Sequence, residues 1–228
     1  MEEATLNMGT LYGIGVGPGD EELLTLKAVN IIKKCEVIVA PSAKDGDRSI
    51  AFDTAKNFVD ESKEVIIKHF PMGGKEQEGK IFEAFKTIEE RLNEGKNVAF
   101  LTIGDPFVYS TYIYLLEHIK NKGYKTETVP GITSFCAAAS LAGQSIVIGD
   151  ERVLILPASQ VDKITDEKFV VIMKVYRKEE NVLNVLEEKG FKYVCVKRAY
   201  REGQEILRNR EDILKSRDYM SLIMAQRN

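Results

Sequence analysis

The feature that most constrains the fold is an apolar run, residues 98–103, that stops at Gly104-Asp105-Pro106. Such a run predicts a buried strand. Gly104 lets backbone segments come close, and Pro106 cannot donate a ladder hydrogen bond, so the strand ends there. A carboxylate, Asp105, therefore stands at the mouth of a sheet, where it would suit a ligand with hydroxyl groups and an ammonium group.

Strand-like and helix-like patterns alternate along the rest of the chain, which predicts an α/β fold. The predicted strands cover residues 10–14, 36–40, 65–68, 98–103, 126–129, 153–156, 169–174, 193–197 and 219–225. The predicted helices cover residues 22–34, 50–59, 79–93, 110–121, 134–142 and 182–189. We predict two α/β domains, an N-terminal one over residues 1–120 and a C-terminal one over residues 121–228.

Composition excludes several classes of protein. The net charge of −3 over 228 residues gives no general basic field for nucleic acid or an anionic membrane. No apolar run reaches the length of a membrane span, and the acidic, polar start is unlike a signal peptide. Cys35, Cys136 and Cys195 are odd in number and widely spaced, which favours reduced thiols in the cytoplasm over a disulfide framework or a zinc site.

A glycine-rich segment, residues 13–20, lies between the first strand and the first helix. Its glycines do not have the G-x-G-x-x-G spacing of a dinucleotide site, and no Lys-Ser/Thr follows as in a P-loop. Asp20, Glu21 and Glu22 would repel a phosphate at the helix start, where Asp20 can act as the N-cap. A tight turn explains part of this composition. The number of glycines favours a loop over which a bulky, flat ligand lies.

Each of the other loops has a structural and a functional interpretation. Asp105 could cap the following helix, but Ser110 or Thr111 is better placed, which leaves Asp105 for a ligand. Thr133 and Ser134 either begin a closely packed helix or place hydroxyl groups beside a cofactor.

Charged and histidine side chains allow two further predictions. Lys44 and Arg48 either belong to a solvated loop or bind substrate carboxylates. His118 lies among apolar residues, so we predict a packed helix residue rather than a catalyst. No cluster has metal-ligand spacing, and no nucleophile–base pair can be assigned.

The motifs together resemble those of the tetrapyrrole (corrin/porphyrin) methyltransferases. The glycine-rich loop, Gly104-Asp105-Pro106 and Pro130-Gly131-Ile132-Thr133 occur in that order, and the resemblance spans nearly the whole chain. Some segments are similar to the precorrin-2 / cobalt-factor II C20-methyltransferases of cobalamin (vitamin B12) biosynthesis. These segments are residues 41–51, 69–72, 104–112, 130–135, 149–152 and 155–158.

The resemblance implies an S-adenosylmethionine-dependent enzyme of two α/β/α-type domains, with the cofactor in the cleft between them and usually a homodimer. It also implies methylation at C20 of cobalt-factor II, cobalt-precorrin-2 or precorrin-2, with any cobalt arriving in the substrate. The alternatives are a family member acting at another ring carbon and a non-catalytic tetrapyrrole-binding protein.

The resemblance also implies a set of binding residues, while the catalytic residue stays unassigned. The expected cofactor contacts are Pro18, Ile103, Gly104, Asp105, Val108, Thr133, Ser134, Met173 and Ala199, with Tyr200 closing on the adenine. The expected substrate contacts are Gly15, Gly17, Asp20, Lys44, Arg48 and Tyr109. Lys174, Arg177 and Arg201 are further candidates to offset the carboxylates of the substrate.

Overall fold

The computed structural model describes residues 8–42, 46–69 and 77–228. Lys44 and the 70–72 part of one sequence motif lie outside the described residues. The chain divides into two compact units between Thr133 and Ser134. Among the described helices, none has the length and apolar character needed to span a membrane.

The first unit is built on a five-stranded sheet in which every neighbouring pair of strands is parallel, in the order β3-β2-β4-β1-β5. The strands are β1 (Thr10–Gly15), β2 (Val37–Ser42), β3 (Glu64–His69), β4 (Val98–Thr102) and β5 (Lys125–Val129). Every residue of β4 is buried. Because helices cover both faces of the sheet, its central strand is a continuous apolar run, as the sequence predicts.

Four α-helices form the outer layers of this unit. They are α1 (Leu26–Lys34), α2 (Ile50–Ala55), α3 (Gln77–Asn93) and α4 (Tyr112–Asn121). Helices α1 and α2 pack with Ala99 and Leu101 on one face, whereas α3 and α4 pack with Phe100 on the other. Alternate residues of β4 therefore fill two separate apolar cores, and the first unit is a three-layer α/β/α domain.

The first predicted helix is divided into two parts. A short 3-10 helix, Glu21–Leu23, comes first, and α1 begins only at Leu26. The hydroxyl of Thr25 accepts a hydrogen bond from the Ala28 amide at 3.1 Å and caps α1. The extended backbone at Leu24 and Thr25 therefore separates the two elements.

The second unit contains a mixed sheet in the order β6-β7-β10-β8-β9. Only β6 and β7 run parallel; the other neighbouring pairs are antiparallel. Its strands are β6 (Val153–Pro157), β7 (Phe169–Met173), β8 (Lys192–Lys197), β9 (Glu205–Leu207) and β10 (Ser221–Gln226). Its α-helices are α5 (Ser134–Ala142), α6 (Glu179–Glu188) and α7 (Arg210–Lys215), and a 3-10 helix covers Ala158–Lys163. Helix α5 packs on one face, and α6, α7 and the 3-10 helix pack on the other.

The sequence-based division at residue 120 is too early. Strand β5 pairs in parallel with β1, so it completes the first sheet instead of beginning the second domain. The chain leaves the first unit only after Thr133. A strand that is predicted correctly can still be assigned to the wrong sheet, because its pairing partner lies far away in the sequence.

Two groups of side chains behave as predicted. The three cysteines are unbridged; burial raises the pKa of both Cys35 and Cys195 to about 12, while Cys136 is exposed. His118 on α4 bonds to Glu89 on α3 and its ring contacts Phe85. His118 is thus a helix-packing residue.

Candidate functional site

The carboxyl ends of β1 and β4 form a topological switch point in the first sheet. These neighbouring parallel strands lead to helices on opposite faces, since α1 follows β1 and α4 follows β4. In open α/β sheets, ligands bind in the crevice outside such strand ends. The loop that begins at Gly104 lies at this point, which makes it the strongest candidate site in the first unit.

Backbone hydrogen bonds join the loops after β1 and β4. The Val16 amide donates to the Thr102 carbonyl at 2.9 Å. Gly17 and Gly104 then exchange two bonds: the Gly104 amide donates at 2.8 Å and the Gly17 amide at 3.3 Å. Both glycines have a positive φ, near 70°, a conformation that other residues adopt only at a cost. The two loops therefore behave as one backbone structure.

Three glycines bring a third loop, the one after β5, into the same contact. A Cβ atom on Gly131 would lie 2.2 Å from the Gly104 carbonyl oxygen, and one on Gly15 would lie 2.5 Å from the Gly131 amide nitrogen. Neither position has room for any side chain. We call this meeting of Gly15, Gly104 and Gly131 the glycine junction.

Close backbone packing at the glycine junction explains much of the high glycine content of residues 13–20. Gly15 is a buried member of it, and Gly17 is buried beside it and exchanges backbone bonds with Gly104, so backbone packing explains both residues. Gly13 has a separate cause, since a Cβ there would lie 2.0 Å from the Tyr112 ring. Asp20 accepts a bond from the Glu22 amide at 2.9 Å and caps the 3-10 helix, which confirms its predicted capping role.

The Asp105 carboxylate links two of the loops that meet at the glycine junction, the loop after β4 and the loop after β5. One carboxylate oxygen accepts from the Phe107 amide at 2.9 Å, and the other accepts from the Gly131 amide at 3.1 Å. The sequence predicts that Asp105 is left for a ligand, and the structure adds a second role, because the carboxylate also holds the β4 and β5 loops together. Each oxygen keeps a further acceptor position, and the half-buried side chain remains reachable.

Three further predicted residues of the first unit, Val108, Tyr109 and Arg48, lie in the loops around this edge. Val108 is half-buried in a turn closed by its amide and the Asp105 carbonyl at 3.2 Å. Tyr109 is exposed and has a φ of 51°. Arg48 forms an exposed ion pair with Asp53 at 3.1 Å, an interaction weak enough for a ligand carboxylate to replace.

Three of the predicted cofactor contacts, Ser134, Met173 and Ala199, belong to the second unit. Strand β10 lies between β7 and β8 and is antiparallel to both, so the carboxyl ends of β7 and β8 share one edge. Met173 ends β7 and Ala199 follows β8, and both pack against the apolar cluster that includes α5. Ser134 is the first residue of α5.

Sequence reasoning missed the backbone strain at this same edge. Lys174 and Arg177 follow β7, Arg198 and Tyr200 follow β8, and all four have a positive φ. Each such residue costs about 1–3 kcal/mol, and such strain is concentrated at functional sites. Only backbone coordinates reveal this signal, because none of the four is a glycine.

A metal centre is not part of this arrangement as far as the described residues extend, since they contain no group of three or more potential His, Cys, Asp or Glu ligands.

Comparison with known proteins identifies the family. The profile of the Tetrapyrrole (Corrin/Porphyrin) Methylases matches residues 10–214. The chain belongs to this family. The family predicted from the sequence motifs, and the α/β fold of that family, are thereby confirmed.

Two curated relatives cover most of this tetrapyrrole methylase. A probable cobalt-precorrin-2 C(20)-methyltransferase of Methanocaldococcus jannaschii is 36% identical over 95% of this chain and 96% of its own. The cobalt-precorrin-2 C(20)-methyltransferase of Salmonella typhimurium is 31% identical over 80% of this chain and 79% of its own.

Solved structures support the fold of the methylase. The cobalt precorrin-4 methyltransferase CbiF aligns with a TM-score of 0.75 at 22% identity, covering 95% of this chain and 94% of the other. A uroporphyrin-III C-methyltransferase of Thermus thermophilus, complexed with S-adenosyl homocysteine, aligns with a TM-score of 0.73 at 20% identity, covering 96% and 97%.

The glycine junction makes a prediction about stability. Gly131→Ala should destabilise the methylase by about 2–3 kcal/mol, because the added methyl group must displace backbone. Gly123→Ala is the matched control in the same unit: its Cβ would meet nothing within 4 Å, although φ is +83°. It should cost about 1 kcal/mol through the left-handed backbone alone. Urea unfolding measures both. Equal losses would show that the glycine junction is not closely packed.

Proposed function

We propose that this chain is an S-adenosylmethionine-dependent methyltransferase that acts at C20 of cobalt-factor II, cobalt-precorrin-2 or precorrin-2 in cobalamin biosynthesis. The observation that carries the proposal is the nearly full-length similarity to relatives named for C20, on a chain of the tetrapyrrole methylase family. We further propose that it works in the cytoplasm as a homodimer.

The candidate site fits S-adenosylmethionine in its chemistry. The cofactor is a sulfonium cation with an ammonium group and ribose hydroxyls, and it needs acceptors beside an apolar surface for the adenine. Asp105 offers a carboxylate at the switch point, and the half-buried Ile103 and Val108 flank it in sequence. The glycine-lined backbone lets a ligand approach the strand ends closely.

We propose cofactor contacts for each unit separately. In the first unit we propose Pro18, Ile103, Gly104, Asp105, Val108 and Thr133. In the second unit we propose Ser134, Met173 and Ala199. S-adenosylmethionine brings a methyl group that is already activated on sulfur. The task of these side chains is to orient it, and good orientation can lower a barrier by about 7–11 kcal/mol.

The substrate demands local positive charge, because the tetrapyrrole carries many carboxylates and the chain has a net charge of −3. Arg48 is proposed to provide it beside the first sheet, with Tyr109 and Asp20 as further contacts, and Lys44 is proposed as another cation for the substrate. Lys174, Arg177 and Arg201 are proposed to provide it in the second unit. Gly15 and Gly17 contribute by shaping the loop, since both are buried.

Methyl transfer tests the proposed function directly. The protein incubated with S-adenosylmethionine and cobalt-factor II should yield a tetrapyrrole heavier by one methyl group. With a ¹³C-labelled methyl donor, NMR should locate the label at C20. A label at another carbon would instead indicate another methylase of the family. Binding without any mass gain would indicate a tetrapyrrole-binding protein.

Asp105 should matter for cofactor binding. Asp105→Ala removes the charge and both backbone bonds, so the affinity for S-adenosylmethionine should fall about tenfold or more. Asp166→Ala, which removes an exposed carboxylate paired with Arg152, is the control and should leave that affinity unchanged. Isothermal titration calorimetry measures both variants. An unchanged affinity together with lost turnover would contradict the anchoring role of Asp105 and assign it to the chemical step.

A further inference from the structure

We propose that Tyr176, Arg177 and Tyr219 form a binding platform for the tetrapyrrole on the second unit, in which the two rings contact the macrocycle and the guanidinium binds one of its carboxylate arms. We call these three residues the aromatic platform. This inference rests on the proposed function, because it names further residues for the same substrate.

The first observation is an exposed pair of aromatic rings. Tyr176 and Tyr219 are 37% and 63% exposed, and their ring centroids lie 6.1 Å apart at an angle of 75°. The two residues come from different loops, so the fold brings them together. Exposed rings held in mutual contact present a rigid apolar surface to water, which favours the binding of a flat, conjugated ligand.

The second observation is where this pair lies. Tyr176 follows β7 and Tyr219 precedes β10, and these strands are antiparallel neighbours. Both rings therefore stand at the edge of the sheet that also carries Met173 and Ala199, two proposed cofactor contacts. A methyl acceptor must reach the same region as the methyl donor. The aromatic platform is placed for that role within the second unit.

The third observation is the strained position of Arg177. Its guanidinium carbon lies 5.2 Å from the centroid of the Tyr176 ring, while its backbone φ is 63°. A glycine would adopt this φ without cost. The guanidinium supplies what a glycine cannot, a charge that can bind a carboxylate bidentately beside an aromatic face.

The fourth observation is a cavity of about 500 Å³ next to Arg177. Five charged side chains line it. Three are cationic, namely Arg177, Lys178 and Arg217, and two are acidic, namely Glu179 and Glu180. Glu179 is 2% exposed, and neither of its carboxylate oxygens has a hydrogen-bond partner among the described residues. Among the described residues its nearest cation is the Arg217 Nε at 3.8 Å, and Arg217 also lines the cavity.

The cavity and the aromatic platform differ in chemistry in a way that matches a tetrapyrrole. The rings offer apolar surface for the macrocycle, and the cavity offers excess positive charge for a carboxylate arm. The amino end of α6 opens into the same cavity, and its N-cap residue Lys178 makes no capping side-chain bond. A carboxylate arm there would pair with the arginines, since Glu179 and Glu180 occupy the first turn of α6.

Binding measurements on tyrosine variants test the aromatic platform. Cobalt-factor II is titrated in the presence of S-adenosylhomocysteine and followed by its visible absorbance. Tyr219→Ala and Tyr176→Ala should each weaken its binding about five- to tenfold, the size of one lost aromatic contact. Tyr219→Phe should bind like the wild type. Tyr114→Ala is the matched control, because Tyr114 on α4 is 62% exposed, and it should also bind like the wild type.

Arg177→Gly gives a second readout that a purely structural role would not produce. Glycine relieves the left-handed backbone, so the melting temperature should stay the same or rise. Tetrapyrrole binding should nevertheless weaken about tenfold, and KM for the tetrapyrrole should rise with little change in kcat. The affinity for S-adenosylmethionine should not change.

The outcomes separate this inference from the proposed function. Wild-type protein that binds and methylates cobalt-factor II, with tyrosine and Arg177→Gly variants that bind it equally well, would overturn the aromatic platform and leave the function standing. Wild-type protein that neither binds nor methylates the tetrapyrrole would overturn both. Loss of binding in the three variants with unchanged cofactor affinity would support the platform.

Discussion

The contact of three glycine backbones, Gly15, Gly104 and Gly131, is the constraint on which the first unit's candidate site depends. It requires the carboxyl ends of β1, β4 and β5 to come closer than any side chain allows. Three loops that are distant in sequence thereby become one rigid edge. Asp105 strengthens this edge, because its carboxylate accepts amide bonds from its own loop and from the β5 loop.

This constraint explains why the glycine-rich loop after β1 and the loop that carries Asp105 belong to one site. The topology places the β4 loop at a switch point, where a crevice opens between connections that leave toward opposite faces. The glycine junction fixes the floor of that crevice, and Asp105 brings a negative charge to it. A cationic cofactor suits such a place better than a phosphate does, since Asp20, Glu21 and Glu22 stand at the helix start after β1.

The sequence predicted the parts of the fold whose signals are local. Residues 98–103 are an apolar run whose burial needs no knowledge of partners, and α5 was predicted with its observed bounds, Ser134–Ala142. The prediction failed where strand pairing determines which sheet a strand joins. Strand β5 was placed in the second domain, although it pairs with β1 of the first. Strand β9 and helix α7 were missed because they have only three and six residues, too few for a periodic pattern.

The same distinction holds for the candidate site. Motif order identified the family and named Asp105, but the bond from the Gly131 amide to its carboxylate depends on two loops meeting in space. The strained backbone of Arg177 and the contact of Tyr176 with Tyr219 have no sequence signature at all. They appear only when β7 and β10 are seen as neighbours, and they extend the proposed substrate contacts beyond those that the motifs suggest.

Hydrogen–deuterium exchange with and without S-adenosylhomocysteine tests most directly whether this edge is the cofactor site. Ligand binding should slow exchange in peptides covering residues 103–109 and 130–134, and leave β3 and α7 unchanged. Protection elsewhere in the chain, with these two loops exchanging as before, would contradict the account.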